Sequence, residues 1–263
     1  MIRHQRAIGA ASLEVAAQGL ARLHQAAPLR VLFPTPDPGQ PLEAVLVNVA
    51  GGLAGGDALE ARVTLRDGAQ ALVTTPAAEK IYRSLGEAAR IATRLEIGEG
   101  AALEYLPQEA ILFEGGQLAR RMEVELAPDG TLLAAESVVL GRIARGEVWS
   151  RGWLRDSWRL RQGGRLVWAD ALALDAARRD VPFGLDGAES LGMLLLADRD
   201  AARHRELARE LTEGAASLVR PGLLLLRFLG TAGGVRGAMA TAIMEMRAAA
   251  LNRPKSLPRL WTC

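Results

Sequence analysis

The feature that most constrains this chain is a beat of short alternating segments, each closed by a turn, running from about residue 11 to residue 175. Ala58 to Leu65 sets the pattern. Leu59, Ala61, Val63 and Leu65 fall on one face and Glu60, Arg62 and Thr64 on the other, the period-two signature of a half-buried strand. Asp67-Gly68 closes it. The beat returns as Ile91 to Ile97 before Gly98-Glu99-Gly100, as Met122 to Leu126 before Pro128-Asp129-Gly130, and as Trp158 to Arg161 before Gly163-Gly164. Helical patterns of about 10 to 15 residues are missing between these segments, so a sandwich, barrel or solenoid is expected rather than a parallel βαβ sheet. No fixed-period sequence repeat accompanies the beat.

The texture changes near the C-terminus, where residues 198–251 read as two helices with a strand between them. Asp198 to Leu218 places Ala202, Leu207, Leu211 and Leu218 among charges, which predicts a helix with one buried stripe. Leu223 to Leu229 predicts a buried strand. Gly237 to Leu251 predicts a second helix, with Met239, Ile243, Met246 and Ala250 on one face and Asn252-Arg253-Pro254 ending it. A methionine stripe at helical spacing is more often core than a partner groove. Residues 254–263 are too rich in proline for a helix and carry Trp261, so a tail docked on the surface is expected. At 263 residues the whole of 1–263 fits one large domain.

Composition removes several function classes. The net charge is +2 and arginines are interleaved with acids, as in Arg155-Asp156, so the continuous basic stripe of a nucleic-acid binder is missing. The longest apolar runs, around Met193 to Ala197 and Leu223 to Leu226, fall far short of the roughly 18 residues of a membrane span. Cys263 is the sole cysteine, and His4, His24 and His204 are scattered, which leaves neither a thiolate–imidazole metal cage nor a nucleophile–histidine pair. Met1 to Gln25 lacks the apolar core of a secretory signal, so a cytoplasmic location is expected.

Within the first beats lies Gly51-Gly52-Leu53-Ala54-Gly55-Gly56-Asp57, a run that forces an unusual backbone and ends on a charge. Neither phosphate-binding pattern fits. Leu53 breaks G-x-G-x-x-G, and Asp57-Ala58 stands where the P-loop needs Lys and Ser or Thr. A tight turn joining two strands is the expected structure. Carboxylates at Asp57, Glu79, Glu109, Glu136, Glu147 and Asp170 sit among apolar neighbours, each either facing outward or buried with a partner. Lys80, Arg83, Arg142 and Arg145 in the same segments make buried ion pairs a natural arrangement. Oxygen ligands of this kind hold a divalent cation weakly. Thr74 to Ser84 carries Tyr82 and Arg83, residue types enriched in protein interfaces, on what is otherwise a capped turn.

Five ordered blocks resemble the urease accessory protein D family, UreD or UreH: GGLAGGD from Gly51, TTPAAEKIYRS from Thr74, LEYLPQEAILF from Leu103, ESVVLGRIARGE from Glu136 and RLVWADAL from Arg165, with a weaker echo in Leu257 to Trp261. The resemblance implies a two-layered helical β-structure with a few helices. It also implies a non-enzymatic scaffold that binds urease apoprotein with a UreF-like protein and a UreG-like GTPase, and helps deliver nickel through an internal, water-filled passage. No tightly bound cofactor is implied, only Ni(2+) in transit. Asp57, Glu136 and Asp170 occupy the family's acidic positions and are the expected passage lining. Gly51, Gly52, Gly55, Gly56, Lys80, Tyr82, Arg83, Gln108, Glu109, Arg142, Glu147 and Trp261 are the motif and interface candidates. Glu79 departs from the pattern, standing where relatives often carry Ser or Thr. The rival readings are a carboxylate-dependent hydrolase using Asp57 and Glu136, and a generic β-rich interaction module.

Overall fold

The computed structural model describes residues 6–181 and 184–262; His4 and Cys263 lie outside the described residues. The chain opens with two hairpins, β1 (Ile8–Ala16) with β2 (Gly19–Ala26) and β3 (Leu29–Leu32) with β4 (Leu42–Asn48). It continues through β5 (Ala58–Leu65), β6 (Gln70–Thr74), β7 (Glu79–Ile81), β8 (Ala89–Ile97), β9 (Ala102–Leu106), β10 (Ala110–Leu112), β11 (Gln117–Leu126), β12 (Thr131–Leu140), β13 (Trp153–Gln162) and β14 (Arg165–Asp175). β15 (Ser190–Ala197), α1 (Arg205–Leu211), β16 (Ala216–Arg220), β17 (Leu223–Gly230) and α2 (Ala232–Leu251) complete it. Strand makes up 49% and helix 16% of the structure, a mainly β fold with two C-terminal helices.

The strands divide between two sheets that the chain visits alternately. One runs β14-β13-β11-β8-β5-β1-β2, the other β16-β17-β15-β12-β9-β6-β4-β3. Within each, the successive visits pair in parallel: β5 with β8 and β8 with β11, β6 with β9 and β9 with β12. Parallel neighbours need a crossover connection, usually a helix. Here each crossover is a strand of the facing sheet, which makes the chain a stacked coil, and this is the solenoid form of the β texture. Hairpins close both ends of the first sheet, so its last strands are antiparallel.

Two apolar layers hold the coil. Alternate residues such as Leu13, Val63, Leu95 and Leu118 from the first sheet meet Leu103, Leu132 and Leu195 from the second. The other face of the second sheet is also covered: Leu133, Leu194, Leu196, Leu224 and Leu226 pack against Val235, Met239, Ile243 and Met246 of α2. The methionine stripe is therefore core. α2 is capped by the Thr231 hydroxyl, which accepts from Gly234 N at 3.2 Å, and it ends at Asn252 with φ 50°.

The helix expected over Asp198 to Leu218 is shorter. A 3-10 turn at Ala201–His204 leads into α1, which ends at Leu211, and Leu218 lies in β16. Glu213 (φ 50°) and Gly214 (φ 95°) adopt left-handed conformations that turn the chain out of the helix into the strand. The tail docks as expected: Trp261 is buried and its indole N–H donates to the Leu106 carbonyl at 3.0 Å.

Candidate functional site

Four connections stack on one side of the coil, those from β4 to β5, β6 to β8, β9 to β11 and β12 to β13. The backbone stitches them together. Leu53 bridges Ile81, β7 pairs with β10, β10 pairs with β12, and Arg83 bridges Gly116. The first four sequence blocks thus come together here, each lying one coil below the next.

In the glycine turn, which joins β4 to β5, Gly52 has φ 145° and a Cβ on it would lie 2.4 Å from the Tyr82 ring. Gly55 is equally hemmed in, with the Glu87 carbonyl oxygen 2.5 Å from a Cβ position. Gly51 (φ 75°) and Gly56 (φ 89°) supply the remaining left-handed residues. Asp57 is buried and locks the turn. Its Oδ2 accepts from Ala54 N and its Oδ1 from Ala7 N, both at 2.8 Å, which ties the turn to the start of β1.

Other motif residues form two further groups of contacts. The Tyr82 hydroxyl donates to the Gly51 carbonyl at 3.0 Å, its ring meets Phe113 edge to face at 5.1 Å, and the Arg142 guanidinium lies 4.5 Å above the Phe113 ring while pairing with Glu147. That pairing, with the Glu114 and Arg142 amides, holds the Glu147 carboxyl below the usual carboxylate range. Gln108 donates to the Leu260 carbonyl at 2.7 Å, and Arg236 of α2 reaches Glu109 at 2.5 Å, Gln108 and the Trp261 carbonyl. Gln108, Glu109 and Trp261 therefore bind tail and helix to the coil. Lys80 is exposed, and its carbonyl accepts from Leu53 N at 2.7 Å.

A polar cluster interrupts the apolar layer between the sheets. Arg120 of β11 forms an ion pair with Glu136 of β12, its Nε 2.8 Å from Oε1, and donates to Asp156 Oδ2 of β13 from Nε at 3.2 Å and from a terminal nitrogen at 2.5 Å. Trp158 Nε1 donates to Glu136 Oε2 at 2.5 Å. Tyr105 and Thr93 lie nearby, their hydroxyls 3.5 Å apart. Burial, opposed by Arg120 and reinforced by Asp156, leaves the Glu136 carboxyl above its usual range. Burial alone would weaken the Arg120 cation, but Asp156 and Glu136 outweigh it and hold the guanidinium charged.

This cluster stands between two cavities. One, of about 200 Å³, is walled by Pro76, Ala77, Glu79, Gln108, Arg120 and Glu136, among others. The other, of about 680 Å³, shares Arg120 and Glu136 and extends past Asp156 and Trp158 to Asp170, Glu213 and Arg227. Pro76 and Ala77 on the first wall and Glu213 and Arg227 on the second are exposed, so each cavity has part of its wall at the surface. Asp170 sits opposite Trp158 in the β13–β14 ladder and pairs with Arg227 at 2.7 Å. Of the three acids expected to line a passage, Glu136 and Asp170 share one cavity wall, while Asp57 is absent from both walls and both of its oxygens serve the turn. Glu79 lines the smaller cavity and accepts from Asn48 Nδ2 at 3.0 Å, and burial pushes its carboxyl up to about 7.

Residues 7–262 match the family described as UreD urease accessory protein. This chain belongs to the UreD family. Its relatives include the urease accessory protein UreD of Granulibacter bethesdensis, 46% identical over an alignment of 238 residues that covers 88% of this chain and 99% of the relative. UreD 2 of Methylorubrum populi is 42% identical, covering 98% of this chain and 91% of its own. UreD of Magnetococcus marinus is 40% identical, covering 92% and 88%.

As a member of the UreD family the chain is an accessory protein of urease maturation, not an enzyme. Among the described residues no group of three or more His, Cys, Asp or Glu side chains is placed to hold a metal ion, and no described helix is long and apolar enough to cross a membrane. The UreD blocks miss four members of the interior cluster, Thr93, Arg120, Asp156 and Trp158. A signal for Arg120 was present. Leu118, Met122, Val124 and Leu126 are buried on one parity of β11, and Arg120 shares that parity.

Proposed function

We propose that this UreD chain binds urease apoprotein in the cytoplasm, together with UreF-like and UreG-like partners, and passes nickel between its sheets toward the urease active site. The observation that carries the reading is the pair Arg120–Glu136, shared by the walls of two cavities, each with exposed residues on its wall. An ion in transit needs oxygen ligands that release it, and carboxylates spaced along a wet path provide this where a closed cage would not. Glu136 and Asp170 line that path, and Glu79 stands at its other end. The turn and ring contacts of Tyr82, Phe113, Arg142 and Glu147 give the motif side of the coil a rigid surface suited to a protein partner. Co-expression of the urease genes with Glu136→Gln or Asp170→Asn chains tests the passage. Urease then carries less nickel while the accessory complex still assembles, and full nickel loading with both variants would refute it.

A further inference from the structure

We infer that Arg120 is the resident counter-cation of the passage, seated where a divalent ion in transit meets its two innermost carboxylates, so that the guanidinium has to leave Glu136 for the ion to pass. The inference rests on the passage reading above and adds to it the residue that sets how tightly an ion is held.

The geometry carries it in three steps. Arg120 and Asp156 are direct partners in the β11–β13 ladder of one sheet, whereas Glu136 comes from the facing sheet. The guanidinium therefore spans the gap between the sheets, and it can release Glu136 while keeping Asp156. Second, the acids hold unspent capacity. Asp156 Oδ1 is buried with no hydrogen-bond partner, and Glu136 Oε2 has only the indole N–H of Trp158. Third, a single guanidinium serves two carboxyl groups, Glu136 and Asp156. Without Arg120 those carboxylates, shielded from bulk water, would attract a dication strongly and repel each other. A guanidinium does not lose its proton in a protein, so this occupant is permanent where a histidine would switch. Its presence keeps the innermost step weak, which transit requires, and it makes the movement of Arg120 the step that admits an ion.

Nickel binding by the purified full-length chain tests this, measured by equilibrium dialysis against nickel sulfate. Wild type is expected to bind weakly. Arg120→Met is expected to bind at least about tenfold more tightly, because a carboxylate pair has lost its internal cation. Arg120→Lys restores weak binding by returning the charge, a rescue that a packing role would not produce, and adding Asp156→Asn to Arg120→Met abolishes the gain. A folded Arg120→Met chain that binds nickel no better than wild type overturns the inference. If Arg120→Met folds only with nickel present, the ion has replaced the guanidinium and the inference stands. If it stays unfolded with and without nickel, the inference falls. Full nickel loading of urease by both Glu136→Gln and Asp170→Asn would instead sink the passage reading and leave this binding result untouched.

Discussion

The Tyr82 ring fills the space that a side chain on Gly52 would need. A Cβ there would lie 2.4 Å from the ring and 2.8 Å from the Lys80 carbonyl oxygen, at a φ of 145° that side chains rarely adopt. The ring has room to swing outward, since Tyr82 is partly exposed, but the Lys80 carbonyl is pinned by the Leu53 N–H at 2.7 Å. Gly52→Ala is therefore expected to cost about 3 kcal/mol, from backbone strain and overpacking together. Urea unfolding followed by circular dichroism measures it, and a midpoint equal to wild type would show that the turn yields. Gly68, whose Cβ position meets nothing within 4 Å, is the control, with only its φ of 67° to lose.

Glu79 predicts a pH dependence. Its carboxyl is raised to about 7 by burial, which outweighs the Asn48 hydrogen bond and the Lys80 charge. The folded chain therefore binds this proton more tightly than the unfolded one, whose value is near 4.5. The associated stability is fully present below pH 4.5 and is lost as pH rises through 7. Glu79→Gln keeps an oxygen for Asn48 and removes the titration, so at pH 8 it is expected to stabilise the chain by roughly 2 kcal/mol and at pH 4 by nothing. Denaturation curves at the two pH values decide it, and equal effects at both would place the group in water.

What the sequence shows and hides follows from what each face touches. β5 alternates cleanly because one face of the first sheet meets water, and its burial follows the expected Leu59, Ala61, Val63, Leu65 parity. Leu223 to Leu226 reads as a buried strand for the opposite reason, since α2 covers the second sheet and both faces are apolar. Asp156 was hidden because Arg155-Asp156 looks like a local charge pair. In the strand the two point to opposite faces, Arg155 lying over the Trp153 ring and Asp156 reaching Arg120. The stacking of four motif connections was illegible for a different reason: nothing in a single chain says that segments so far apart occupy adjacent coils. The family resemblance supplied their order, and the parallel ladders β7–β10–β12 supply their contact.

The tail gives the last prediction, because it is held by a few side chains and by no strand. Trp261 is buried against the second sheet, its ring is flanked by Arg236 at 5.4 Å, and the backbone beside it receives Gln108 and Arg236. Arg247, fully buried, pairs with Glu104 and donates to the Ser256 carbonyl, anchoring the other end. Trp261→Ala removes the larger apolar anchor, worth about 3 to 5 kcal/mol in a core, but the loss falls on a segment that opens by itself. The expected result is local. Trypsin cleaves after Lys255 or Arg259 about tenfold faster or more, while the unfolding midpoint of the coil shifts little. A large global shift with unchanged cleavage would mean that the tail is part of the core. Because Gln108 also binds the Thr75 carbonyl and lines the smaller cavity, the freed tail should loosen that wall as well. Faster hydrogen exchange at the Gln108 amide, which donates to the Thr75 hydroxyl at 2.9 Å, would report it.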